Sequence, residues 1–256
     1  MGLDVNAIRQ KLKDLQNTNN KRQNLWKPEP GEQIIRIVPY QHDRSNPFLE
    51  LYFHYEVAKK NYLSPISFGE ADPIAEFAEK LKNNGSKEDW TLGRKIEPKM
   101  RVYVPIIVRG KEQEGVKFWG FGKRVYEELL KLIADPDYGD ITDPQNGRDI
   151  VVEFTQAESG GYPKTSIRVK PNVTPVTTDK DVLVKIAKEQ QEITEIFKVP
   201  TYDELKEVLE KWLNPDESDE EDSSEEAGST NTNTAVATGV TATKNVDDAF
   251  DELFND

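Results

Sequence analysis

The stretch MRVYVPIIVRGKEQEGVKFWGFGKR, residues 100–124, decides how this chain reads. Residues 100–110 and 116–122 are rich in β-branched and aromatic side chains, which suit a pleated, half-buried surface. The connector KEQEG has hairpin length and contains Gly115, so the two runs are expected to be neighbouring strands. The region is also basic: residues 94–124 hold nine Lys or Arg against three Glu, a local net charge of +6. Strands that carry aromatic and basic side chains two residues apart present both kinds on one face.

Working outward, EQIIRIVPY at 32–40 and FLELYFHYEV at 48–57 read as strands. PIAEFAEKLKNN at 73–84 reads as a short helix, with Pro73 in its first turn and Gly85 beyond its end. KRVYEELLKLIAD at 123–135 is a helix with Val125, Leu129, Leu132 and Ile133 as its apolar stripe. Two further strands, DIVVEFTQA and KTSIRVK, are joined by ESGGYP. Helices are expected over about 179–197 and 201–213, the second opening on Thr201-x-x-Glu204, a capping-box pattern. The expected fold is α+β with a mainly β core: an OB-fold-like barrel with helical additions and a disordered acidic C-terminal tail.

Charge divides the chain. The net charge is −13, yet residues 216–256 alone account for −12, leaving the body near neutrality. Acidic, Ser-rich sequence after Asn214 has too little bulky apolar surface to fold, until NVDDAFDELFND restores Phe250, Leu253 and Phe254 at i, i+3 and i+4. A purely solvating arm has no use for that triplet, so the tail reads as a partner-binding segment. Residues 4–16 form an amphipathic helix pattern, and the polar run 17–24 carries Lys21 and Arg22. No apolar run is long enough to cross a bilayer, and the opening segment lacks the apolar core of an export signal. With no cysteine there is no disulfide, thiolate zinc site or cysteine nucleophile.

Single-stranded nucleic acid asks a protein for cations that follow phosphates and flat rings that receive unstacked bases. The candidates are Trp90, Arg94, Lys95, Arg101, Tyr103, Phe118, Trp119, Phe121, Lys123, Arg124 and Tyr126. Each aromatic has an equal claim to the interior, because strand aromatics are mostly core. The glycines of FWGFGKR mark either close approach of a ligand or a bulge that bends the strand. His42 and His54 are the only histidines, and a zinc site on them would need carboxylates for its other ligands. No Gly-x-Ser-x-Gly or His-Glu-x-x-His is present, and no enzyme is expected. The competing class is an acidic scaffold or chaperone-like protein-interaction module without DNA binding; it explains the tail but leaves the basic, aromatic stretch without a purpose.

LWKPEPGEQIIRIVPYQHDRSNPFLELYFHY at 25–55, FWGFGKRVYEELLKLI at 118–133 and the terminal DDAFDELFND closely resemble the single-stranded-DNA-binding protein of T-even-type tailed phages, the gene 32 protein family. The resemblance implies an OB-fold core and sequence-independent, cooperative coating of single strands in replication, recombination and repair. It places the protein in the cytoplasm of an infected bacterial host. It also implies three parts: residues 1–24 for self-association with neighbouring copies, through Lys21 and Arg22; 25–213 for DNA; and 214–256 for replication and recombination proteins. By local match Trp90, Arg94, Lys95, Arg101, Tyr103, Trp119, Lys123 and Arg124 take DNA-facing positions, with Tyr162 a weaker addition. Members of the best-known type hold zinc on one His and three Cys. Here His54 keeps its place and the cysteine positions fall around Ser64–Pro65 and Asp72–Ala75, so no zinc is expected. Apolar packing by Leu63, Ile66, Phe68, Ile74 and Phe77 is expected in its stead. The basic cluster of the N-terminal part is reduced to Lys21-Arg22, which lowers the expectation of strong cooperativity.

Overall fold

The computed structural model describes residues 24–83, 86–157 and 161–214, together with Val246, Ala249, Phe250, Leu253 and Phe254. The expectations for residues 4–16 and for Lys21 and Arg22 lie outside these. In chain order the strands are β1 (Leu25–Trp26), β2 (Gly31–Ile37), β3 (Leu49–Val57), β4 (Lys60–Leu63), β5 (Lys99–Val108), β6 (Lys117–Phe121), β7 (Arg148–Thr155) and β8 (Lys164–Val173). The helices are α1 (Pro73–Asn83), α2 (Lys87–Ile96), α3 (Lys123–Ala134), α4 (Lys180–Lys188), α5 (Ile193–Ile196) and α6 (Tyr202–Leu213). The chain is thus α+β, and it divides into two compact units.

The first unit comprises the described chain up to Glu50 and Arg101–Phe197. Its strands run in the order β1-β6-β5-β2-β7-β8. The short β1 lies parallel to β6 and every other neighbour is antiparallel, so the sheet is mixed. The path is open, with no pairing between β1 and β8 among the described residues. Alternation aims Val102, Val104 and Ile106 of β5 into one core with Trp119 and Phe121 of β6. On the opposite face Val38 and Ile107 pack with Val182 and Ile186 of α4. The helix expected over 179–197 breaks between α4 and α5. There the buried Gln190 amide donates to the Pro39 and Ile186 carbonyls and accepts from the Gln41 N–H, tying the break to the end of β2.

The second unit comprises Leu51–Met100 and the described chain from Lys198 onward. The hairpin β3–β4 turns through Ala58 and Lys59, both at positive φ (48° and 61°). No Asn-Gly announces this turn, which is why β4 escapes a sequence reading. α2 also escapes it, although Ser86 caps its start by accepting from the Asp89 N–H. α1 and α2 come into close contact at Gly93, where a Cβ would stand 2.6 Å from the Ala78 carbonyl oxygen. α6 begins with the expected capping box at Thr201 and Glu204. Its Leu205 and Leu209 join Ile74, Phe77 and Leu81 of α1 in a fully buried cluster. Val246, Ala249, Phe250, Leu253 and Phe254 are helical.

Candidate nucleic-acid interface

In the first unit the β5–β6 register sets Tyr103 opposite Gly120, on the face away from Trp119 and Val104. The Tyr103 ring lies over the glycine: a Cβ there would come within 2.6 Å of Cε1. Gly120 is therefore the space the ring occupies. Arg101, two residues back on the same face, donates from Nη2 to the Gly120 carbonyl at 2.7 Å. Phe197 also approaches Tyr103, with ring centroids 5.2 Å apart and the rings tilted. Phe197 was absent from the sequence candidates; it lies about 75 residues or more from this strand pair in the chain, and no local pattern marks it.

Two residues beyond Gly120 the chain enters α3 through Gly122, whose missing side chain leaves the helix start without a side-chain cap. The first-turn N–H groups of a helix attract anions. Lys123 and Arg124 stand in that turn, their side chains 76% and 65% exposed. Each has a carboxylate one turn on, Glu127 at 3.7 Å and Glu128 at 3.5 Å. Such exposed pairs contribute at most about 1 kcal/mol.

Several candidates are not on this surface. Trp119 is 1% exposed and makes edge-on contacts with Trp26 and Phe121, so it cannot receive a base without unfolding of the strand pair. Its DNA-facing assignment is corrected: strand alternation sends it inward with Val104. Phe118 and Phe121 are likewise sealed in. Tyr126 donates to Glu50 at 2.7 Å, and burial, followed by that carboxylate, pushes its pKa up to about 12. Arg109, one of the nine cations counted in the stretch, is spent inside: with the fully buried Arg36 it converges on a single carboxylate oxygen of Asp149, Nε to Oδ1 at 2.9 and 3.0 Å. Thr174 accepts from Arg36 through both its carbonyl and its hydroxyl oxygen. This network fastens β2, the end of β5 and β7 together; sequence reading missed it because its hydrogen-bonded members lie 40 to 138 residues apart.

Tyr162, in the β7–β8 connection, is 74% exposed. In the second unit Trp90 is 51% exposed, with the Arg94 guanidinium 5.6 Å from its ring centroid. Arg94 also pairs with Glu97 at 2.7 Å, and Lys95 beside it is exposed. All three stand on α2, a helix and not a strand edge.

The second unit also holds a buried polar cluster. His54 and Asp72 are fully shielded and meet at 2.8 Å through Nε2 and Oδ2, while the other ring nitrogen faces the Ile96 carbonyl at 2.7 Å. Ser64 donates its hydroxyl to the same Asp72 oxygen, and Asp72 Oδ1 accepts the Ile74 and Ala75 N–H groups at the start of α1. Burial works to raise the Asp72 pKa; the His54 hydrogen bond and charge, with Ser64 and Ala75, outweigh it and hold the group below its ordinary value. A tetrahedral zinc needs four ligands. Here both ring nitrogens and both carboxylate oxygens are already engaged, and among the described residues no group of three or more His, Cys, Asp or Glu gathers. The residues present do not fit that metal. Of the apolar replacements expected, Leu63, Ile74 and Phe77 are buried, but Ile66 and Phe68 are 39% and 42% exposed.

The first unit thus carries a partly exposed ring, an arginine and an uncapped basic helix start on an open mixed sheet. The family comparison goes further: residues 29–233 match the model of the gp32 DNA binding protein like family. The chain belongs to this family of single-stranded-DNA-binding proteins, which is not a family of enzymes. No curated protein matches the chain. No described helix is long and apolar enough to cross a membrane.

Proposed function

We propose that the protein coats single-stranded DNA without regard to sequence, in phage replication, recombination and repair inside an infected bacterium. The observation that carries this reading is the Tyr103 ring lying on Gly120 beside Arg101, two residues before the uncapped start of α3. On this reading the partly exposed ring meets a base at the surface, while Arg101, Lys123 and Arg124 supply cations for the phosphates on either side. Trp90 with Arg94, and Tyr162, are further contact points on the same chemistry. Duplex DNA keeps its bases stacked and gains nothing from the rings, so single strands are preferred. No chemical step is involved.

The core is read as a divergent OB-like barrel that works without zinc, His54, Asp72 and Ser64 holding the segment that a metal would otherwise organise. Lys21 and Arg22 serve contact between neighbouring copies, and the acidic tail recruits replication and recombination proteins. Titration of intrinsic Trp fluorescence with oligo-dT across a salt series tests the reading. Salt-sensitive quenching, equal for other unstructured sequences and weak for duplex, is expected. Equal affinity for duplex and single strand would refute it.

A further inference from the structure

Val246, Ala249, Phe250, Leu253 and Phe254 fall at i, i+3, i+4, i+7 and i+8, the spacing of one helix face. The four residues between them in sequence, Asp247, Asp248, Asp251 and Glu252, are all acidic. This apolar face is seated on the second unit. Val246 and Ala249 are 1% and 2% exposed, as deeply covered as the core itself. Phe250 meets Phe77 of α1 edge-on at 6.1 Å and stacks beside Phe254 at 4.8 Å. Phe254 reaches Tyr202 at the start of α6, with ring centroids 6.5 Å apart. Lys206 closes the seat: its ammonium lies 5.0 Å from the Phe254 ring and donates to the Phe254 carbonyl at 3.4 Å.

We propose that the α1–α6 groove, formed by Phe77, Leu81, Leu205 and Leu209 and flanked by Tyr202 and Lys206, is a receptor for the protein's own terminal helix, and that partner proteins compete with it for the same apolar face. The apolar stripe has one face, and the groove uses it. A partner that reads Phe250, Leu253 and Phe254 therefore takes them out of the groove, and it must present a similar surface: an apolar cleft between two helices with a lysine or arginine at its rim. Chain length does not restrict the arrangement, since the 31 residues 215–245 reach at most ~100 Å when extended. The inference is independent of the DNA reading and is tested without nucleic acid.

The test uses a fluorescein-labelled peptide of residues 244–256 and the full-length chain, wild type and Phe250→Asp/Phe254→Asp. In wild type the tethered helix occupies the groove at high effective concentration. Fluorescence anisotropy should therefore show the peptide binding the double variant about tenfold or more tightly than wild type. Equal binding to both, or to neither, overturns the proposal. Should the variant fail to fold, wild-type side chains decide the matter. A nitroxide on Asp256→Cys, in a chain with no other cysteine, should broaden the methyl signals of Leu205 and Leu209 within the same molecule. Absence of broadening overturns the seat, and broadening only between mixed chains assigns the groove to a neighbouring copy and overturns the intrachain arrangement.

Discussion

Replacing Trp119 by alanine separates a core ring from a binding ring. The indole is 1% exposed and sits 4.6 Å from the Phe121 centroid and 5.7 Å from that of Trp26. Truncating a buried Trp or Phe to alanine costs about 3–5 kcal/mol through lost burial and the cavity left behind. The two edge-on ring contacts, each worth about 0.5–1.5 kcal/mol beyond burial, place this site toward the upper part of that range. For a chain of this size roughly 2–4 °C of melting temperature follow each kcal/mol, so a fall of about 6–20 °C is expected. Circular dichroism melting reads this directly, and an oligo-dT titration well below the new midpoint should find affinity within about threefold of wild type. A melting temperature within about 3 °C of wild type, combined with a tenfold loss of affinity, would refute the burial argument and return the ring to the DNA.

Trp90→Ala is the counterpart: half exposed, it should leave the melting point nearly unchanged and cost about 1–3 kcal/mol in oligo-dT binding if it stacks a base. Lys123→Gln with Arg124→Gln should flatten the slope of log K against log salt by about 1.4 if both meet phosphates, as a salt titration will show. Asp149→Ala leaves Arg36 and Arg109 facing each other without their shared carboxylate; a loss of about 3–5 kcal/mol in urea unfolding is expected. Because Asp72 is held below its ordinary value in the folded chain, its contribution is present above the usual carboxylate range and is lost as pH falls through the lowered value. Urea midpoints should therefore drop more steeply on acidification below about pH 4 in wild type than in Asp72→Asn. Chelators should leave the melting temperature unchanged at neutral pH.

The strands and helices with strong local signals were legible: β2, β5, β6 and β7 in their β-branched runs, α3 in its apolar stripe, α6 in its capping box. β4 was not, because its turn uses Ala58 and Lys59 at positive φ, where glycine or asparagine is the usual mark. The basic, aromatic stretch was also visible, but its charge count overstated the surface, since Arg109 is drawn inward by an aspartate 40 residues away. Composition likewise described the last residues as part of an acidic arm; their spacing alone revealed a helix face.

What the sequence by itself determined was chemistry in local order: which segments prefer strand or helix, where cations and rings concentrate, and that the acidity belongs to one end. Which rings are buried and which exposed, which arginine is consumed by a buried carboxylate, what engages His54, and where the last described residues rest were decided only by the tertiary structure. The reason is physical. Propensity and charge act between neighbours in the chain, whereas burial, ion pairing and hydrogen-bond satisfaction depend on residues such as Arg36 and Asp149 or Phe77 and Phe250, which only folding brings together.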